Sequence, residues 1–312
     1  MRASICAVVA ATALCLQACG GGGSKGGAFV PAAPAQPNPP SPSPPTSPPP
    51  PTTFNPTSFT VLFHVAGDDF KGFSAALGNG GYNDLRTQAD RAVFLGDMIS
   101  AVNAVWAPSG VQIAAASAIT DLSTAKVQAA EPSLIVSGFT AVGDAGTTVR
   151  WGNLGAPATD PGFGLAMDVF LVQRPTPGGN GAEAVGFAIR SGTFEGRGTT
   201  HGATFALFSA SGQPIPRSTL FETMAHEMAH FLSLPHTTET TFVADNIADT
   251  PFSTVAANDT NKNGQLDAGD ALSACPDAGN LMFPFSFIGK PFPTITAGQG
   301  AAMRAYLTAT KH

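Results

Sequence analysis

Residues 226–236 read His226-Glu227-Met228-Ala229-His230-Phe231-Leu232-Ser233-Leu234-Pro235-His236. Two histidines four apart on a helix project from one face, about one turn apart. Both imidazoles can then reach one metal ion, with Glu227 beside the first of them. This is the H-E-x-x-H arrangement, in which the histidines hold zinc and the glutamate serves as general base. Chance gives it in roughly one chain in a hundred of this length, and a third histidine at a fixed later place lowers that about fiftyfold. The stretch is therefore read as a metal site rather than a helix face with stray histidines. Pro235 stops the helix. The chain must turn just before His236, which can close a three-histidine site and leave the fourth zinc position to water.

The flanks fit a buried helix. Thr219 and Glu222 have the spacing of a capping box, which predicts a helix start there. Phe221, Met224, Ala225, Met228, Ala229, Phe231 and Leu232 supply apolar surface. Upstream, alternation over Phe59–Val65 predicts a first strand. Apolar residues at helical spacing (Ala92, Leu95, Ile99, Val102, Trp106) predict a long helix over 89–106. Further strands are expected over 111–119, 134–139, 166–172, 184–189 and 203–209. After His236 there is little periodicity until a last helix from Ala297 to about Leu307.

The motif resembles that of the metzincin metallopeptidases, H-E-x-x-H-x-x-G-x-x-H with a later Met-turn, and within them the pappalysin-like family. Ser233 stands where that family usually has glycine. The glycine takes a left-handed conformation that ends the helix, and serine there costs about 1 kcal/mol. Asp249-Thr250-Pro251 is similar to the segment that follows the third histidine in that family, and by this analogy Asp245 and Asp249 bind a further ion. Asn280-Leu281-Met282 resembles the Met-turn, which would put Met282 as an apolar floor beneath the zinc. Thr296 to Gln299, followed by Met303-Arg304, is similar to the closing helix. The resemblance implies an α+β fold: a mixed twisted sheet with a long helix and a zinc-binding active-site helix, then an irregular lower subdomain with the Met-turn and a C-terminal helix. It also implies that extended substrate pairs with an edge strand, where backbone hydrogen bonds give affinity without demanding particular side chains.

A second motif lies between the third histidine and the Met-turn. Asp259, Asn261, Asn263, Gly264, Gln265 (through its carbonyl), Asp267 and Asp270 fit a twelve-residue calcium loop. Asp270 replaces the usual glutamate at the last position, and no pair of long helices flanks the loop. The expected role of calcium is to stiffen this segment.

The ends of the chain point to a bacterial lipoprotein. Arg2 and the short apolar run Ile5–Leu16 form a signal peptide over 1–18. Leu16-Gln17-Ala18-Cys19 looks like a lipobox with Cys19 as the acylated residue. Gly20 after it resembles sorting to an outer membrane. Residues 19–53, rich in Gly, Pro and Ser, form a tether with extended polyproline II character. Residues 54–312 make the catalytic domain. Of the 4 cysteines, Cys6 and Cys15 leave with the signal and Cys19 takes the lipid. Cys275 alone stays in the domain, read as a small buried residue. A net charge of −6 without a basic stripe excludes a nucleic-acid partner, and a monomer is expected.

The leading functional expectation is a zinc endopeptidase acting on polypeptide, with Glu227 moving a proton from water to the leaving amine. The alternatives are a catalytically silent zinc- and calcium-binding surface lipoprotein that acts as a binding module, and a hydrolase of a non-peptide amide such as a cell-wall polymer. The intact base favours catalysis, since a closed structural site needs none. No tyrosine stands near the Met-turn, where Phe283 and Phe285 lie; Tyr82 and Tyr306 are the only tyrosines.

Overall fold

A strand held between two parallel neighbours buries both faces, and the first strand of the domain does so. Val61, Leu62 and Phe63 are 0–1% exposed. The computed structural model describes residues 16–17, 57–66, 88–122, 166–172, 183–184, 186–188, 190–192, 202–207, 215–286 and 293–310. The expected signal peptide (save Leu16–Gln17), Cys19, the tether, the strand over 134–139, and His64 (its side chain), His201, His312 and Tyr82 lie outside these.

Five strands form one sheet: β1 (Thr57–Ala66), β2 (Val111–Leu122), β3 (Ala166–Val172), β4 (Gly186–Ala188) and β5 (Ala203–Ala206). Their order is β2-β1-β3-β5-β4. The pairs β1·β2, β1·β3 and β3·β5 are parallel and β4·β5 is antiparallel, so the fold is α+β with a mixed sheet and β4 at one edge. Parallel neighbours need a crossover, and α1 (Gln88–Trp106) supplies it between β1 and β2. Its core face is Phe94, Leu95, Met98, Val102, Val105 and Trp106. Ala92, expected on that face, is exposed, because the stripe runs through 94, 98, 102 and 105 instead. Trp106 stacks at 6.2 Å against Phe59.

The second long helix, α2, covers Arg217–Phe231 and buries every residue from Thr223 to Phe231. It packs on α1 through Phe221 against Phe94 at 5.6 Å. Arg217 pairs with Asp97 and lies over the Phe221 ring. The expected start at Thr219 is corrected. Pro216 is the N-cap, with φ −54° and ψ 139°, and no side chain caps the helix. Proline fixes an extended entry and lacks the N–H that would need a partner. Thr219 is already inside the first turn, and its carbonyl accepts from the Thr223 hydroxyl.

The C-terminal helix, α3 (Ala297–Thr310), closes the domain. Here a capping box does form: the Gln299 N–H donates to Thr296 Oγ1, and the Thr296 N–H donates to Gln299 Oε1. Arg304 donates to the Ser109 carbonyl and Tyr306 to that of Gly192. The span expected as one strand over 184–189 is divided. Gly186–Ala188 joins the main sheet, whereas Glu183–Ala184 pairs in parallel with Leu16–Gln17, which pairs antiparallel with Phe285–Ser286. A smaller core of Leu266, Leu272, Cys275, Ala278, Phe283 and Phe285 organises the segment after His236. Cys275 is buried in it without a disulfide, as its isolation in the domain predicts.

Candidate metal centre

The helix α2 sets His226 and His230 one turn apart, and its C-terminus decides where the third histidine falls. The Ser233 N–H donates to the His230 carbonyl at 2.8 Å and the Leu234 N–H to the Ala229 carbonyl at 3.0 Å. This pair of bonds is a Schellman ending with Ser233 at the left-handed position, and Ser233 has φ +81°. The motif's usual glycine conformation is thus adopted by serine. Its Oγ also meets Ser191 Oγ at 3.0 Å. The turn carries the chain back, so that His236 faces the helix.

The three histidines converge. Their ligating nitrogens lie within 4.8 Å of one another, and all three residues are buried. The rings are 4.6–5.3 Å apart between centroids. His230 Nε2 stands 3.1 Å from His236 Nε2. Nitrogens at about 2.0–2.1 Å from a tetrahedral zinc would be about 3.3 Å apart, so this pair has the spacing such an ion needs.

Each Nδ1 is turned to an oxygen. His226 Nδ1 donates to the Leu281 carbonyl at 2.6 Å, His230 Nδ1 to the Leu234 carbonyl at 2.6 Å, and His236 Nδ1 to Glu239 Oε2 at 3.1 Å. An imidazole that donates from Nδ1 presents a lone pair at Nε2 unless it is protonated. His230 Nε2 and His236 Nε2 thus face each other in a buried space, close enough to share a proton or a metal ion. Burial, and then the neighbouring His236, hold the His230 pKa well below its usual value, which keeps a lone pair at His230 Nε2. The donor set and its spacing fit a divalent metal ion. At Glu239, the hydrogen bond from His236 is the main influence that lowers the carboxyl pKa from its ordinary range.

Glu227 is fully buried, and β4 sets its place. A Cβ built on Gly186 would come 2.8 Å from Glu227 Cγ and 2.6 Å from Thr223 Cγ2. Only glycine lets the edge strand lie this close to Glu227. Sequence reasoning passed over Gly186, and no spacing signal marks it.

The Asn280–Met282 turn is bonded to the site from the other side. Leu281 supplies the acceptor for His226, and the Met282 carbonyl accepts from the Thr237 N–H at 3.0 Å. Met282 is fully buried in the main core. Asn280 and Gln299 exchange reciprocal amide bonds of 3.0 and 3.1 Å, tying the turn to α3. Asp277, also missed from the sequence, is 1% exposed. Its Oδ2 accepts from Thr237 at 2.8 Å and Thr238 at 2.7 Å, and its Oδ1 from Ser253 at 2.6 Å. One buried carboxylate thus joins the residues after His236 to the approach of the Met282 turn.

Asp249 accepts from the Thr296 hydroxyl and the Gly298 N–H at the start of α3. Asp245 Oδ1 accepts from the Ile247 N–H. In the 259–270 loop, Asp259 accepts from the N–H groups of Asn263 and Gly264, and Gly264 takes φ +79°. The amides of Asn261 and Asn263 donate to Asp267. Asp270 accepts at Oδ1 from the N–H groups of Thr260 and Asn261, and at Oδ2 from that of Asp267. The motif's residues are drawn into one loop. Among the described residues, however, only the three histidines bring three acidic, cysteine or histidine ligand atoms together. Tyr306 is engaged with Gly192, and Phe283 and Phe285 lie in the smaller core.

No protein-family model matches the chain, and no curated protein matches it significantly. Among the described helices none is long and apolar enough to cross a membrane.

Proposed function

We propose that the chain is a zinc-dependent endopeptidase of metzincin type, carried on the bacterial cell envelope by an acylated Cys19. The observation that carries this reading is the convergence of His226, His230 and His236, with buried Glu227 following His226 on the same helix. Zinc, when bound by the three imidazoles, supplies Lewis acidity that polarises a carbonyl and brings the pKa of water toward neutrality. The Nδ1 hydrogen bonds fix which nitrogen each ring offers. Glu227 takes a proton from the attacking water at its carboxylate and gives it to the leaving amine nitrogen. Its burial excludes bulk water from that transfer.

Two features support polypeptide as substrate. The edge strand β4 lies directly against Glu227. Just before β4, the backbone of Glu183–Ala184 pairs with Leu16–Gln17, whose other side pairs with Phe285–Ser286; with residues 1–18 removed as a signal peptide, those two strands could take an added peptide strand in the same way. Calcium in the 259–270 loop belongs to the same proposal, as a stabilising ion without a chemical role. The test is incubation of the purified protein with an unstructured polypeptide. Cleavage by the wild type, and none by Glu227→Ala with its zinc retained, is the expected result. Cleavage by Glu227→Ala at the wild-type rate would remove the general base from the account.

A further inference from the structure

Two of the three histidines are rigid by construction. His226 and His230 sit on α2, and each Nδ1 donates to a neutral main-chain carbonyl. His236 differs on both counts. It stands on a loop, and its Nδ1 donates to a carboxylate, Glu239 Oε2, three residues on. The segment that carries Glu239 is braced. Thr238 and Ala244 form a β-bridge. The Glu239 N–H donates to the Val243 carbonyl at 2.8 Å, and the Phe242 N–H returns to the Glu239 carbonyl at 2.8 Å. The next carbonyl, that of Thr240, accepts from the Leu266 N–H at 2.8 Å, and Leu266 is anchored in the smaller core.

We infer that Glu239 is the positioning residue of the metal site: through a braced turn it fixes the tautomer and the ring orientation of His236, the one ligand that no helix holds. The inference rests on the metal reading above and adds to it a residue that the H-E-x-x-H spacing does not include. Without an acceptor at Nδ1, the His236 ring is free to rotate and to carry its proton on Nε2, which cannot then ligate. Outer partners of this kind change metal affinity by about 10–100-fold when removed. The side chain is 44% exposed, so replacing it leaves the core intact.

The experiment compares wild type, Glu239→Ala and Glu239→Gln. Zinc affinity is read by competition with a chelator. Independently, the tautomer of His236 in the metal-free protein is read from two-bond proton–nitrogen NMR correlations. The expected results are a zinc Kd raised about 10–100-fold in Glu239→Ala and a smaller rise in Glu239→Gln, which keeps an oxygen toward Nδ1. In the metal-free wild type, His236 carries its proton on Nδ1, and in Glu239→Ala the population moves toward Nε2. Wild-type affinity and an unchanged tautomer in Glu239→Ala would overturn the inference. So would a Glu239→Gln as impaired as Glu239→Ala. Failure of the wild type to bind zinc would overturn the proposed function, while the tautomer measurement would still decide the part played by Glu239.

Discussion

His230 Nε2 and His236 Nε2 face each other at 3.1 Å, while each ring donates from Nδ1 to an oxygen on its far side. This relationship suits a shared metal ion and carries a pH signature. Burial, and then the neighbouring His236, lower the His230 pKa below its ordinary 6.5. The unfolded chain then binds more protons than the folded one below about that pH, so this contribution to stability is complete above about 6.5 and is lost as pH falls toward the folded value. Thermal unfolding of the metal-free protein should show a melting temperature that drops on acidification through this window, with a smaller drop in His230→Asn. An equal drop in the variant would contradict the assignment.

Gly186→Ala tests how closely the edge strand approaches Glu227. The added methyl group would meet Thr223 Cγ2 and Glu227 Cγ at 2.6 and 2.8 Å. Overpacking of this kind costs about 1–3 kcal/mol, and a displaced base costs up to about a hundredfold in rate. Denaturant unfolding and peptide cleavage measured on the same sample should show a rate loss beyond what the folded fraction explains. Unchanged cleavage would mean that Glu227 has room to move.

Ser233→Gly should stabilise the protein by about 1 kcal/mol, because the left-handed backbone at φ +81° strains serine and not glycine. The hydrogen bond to Ser191 is exposed and offsets only part of this. The denaturant midpoint should rise with an unchanged slope. A fall would show that the Ser191–Ser233 contact outweighs the strain.

Asp277→Ala removes the acceptor shared by Thr237, Thr238 and Ser253. Hydrogen bonds to a charged group are each worth about 1.5–3 kcal/mol, so with partial relaxation the loss should be about 3 kcal/mol. Chemical denaturation checks it. A loss under about 1 kcal/mol would show that the hydroxyls find other partners.

What could be read from the sequence follows from how local the determinants are. The spacing of His226, His230 and His236, with Pro235 before the last, places three ligands because helix pitch and a proline stop act over a few residues. The Asn280–Met282 turn and the closing helix after Thr296 were marked only by resemblance, and the capping box between Thr296 and Gln299 was not read from the sequence. The similar spacing at Thr219 and Glu222 was not used, because Pro216 had already set the entry to α2. Gly186 against Glu227, Asp277 beneath Thr237, and the division of 183–188 between two ladders depend on packing across long stretches of chain. No periodicity encodes them. Glu239 is only three residues from His236, yet its role needs the turn through Val243, which composition does not reveal.

On this reading the three histidines hold one metal ion. Metal analysis of the purified protein tests it most directly. The purified protein should carry one zinc per chain, lost in His236→Ala while α2 and the sheet remain folded. A wild-type protein that takes up no zinc, or a His236→Ala variant that retains it at full affinity, would contradict the account.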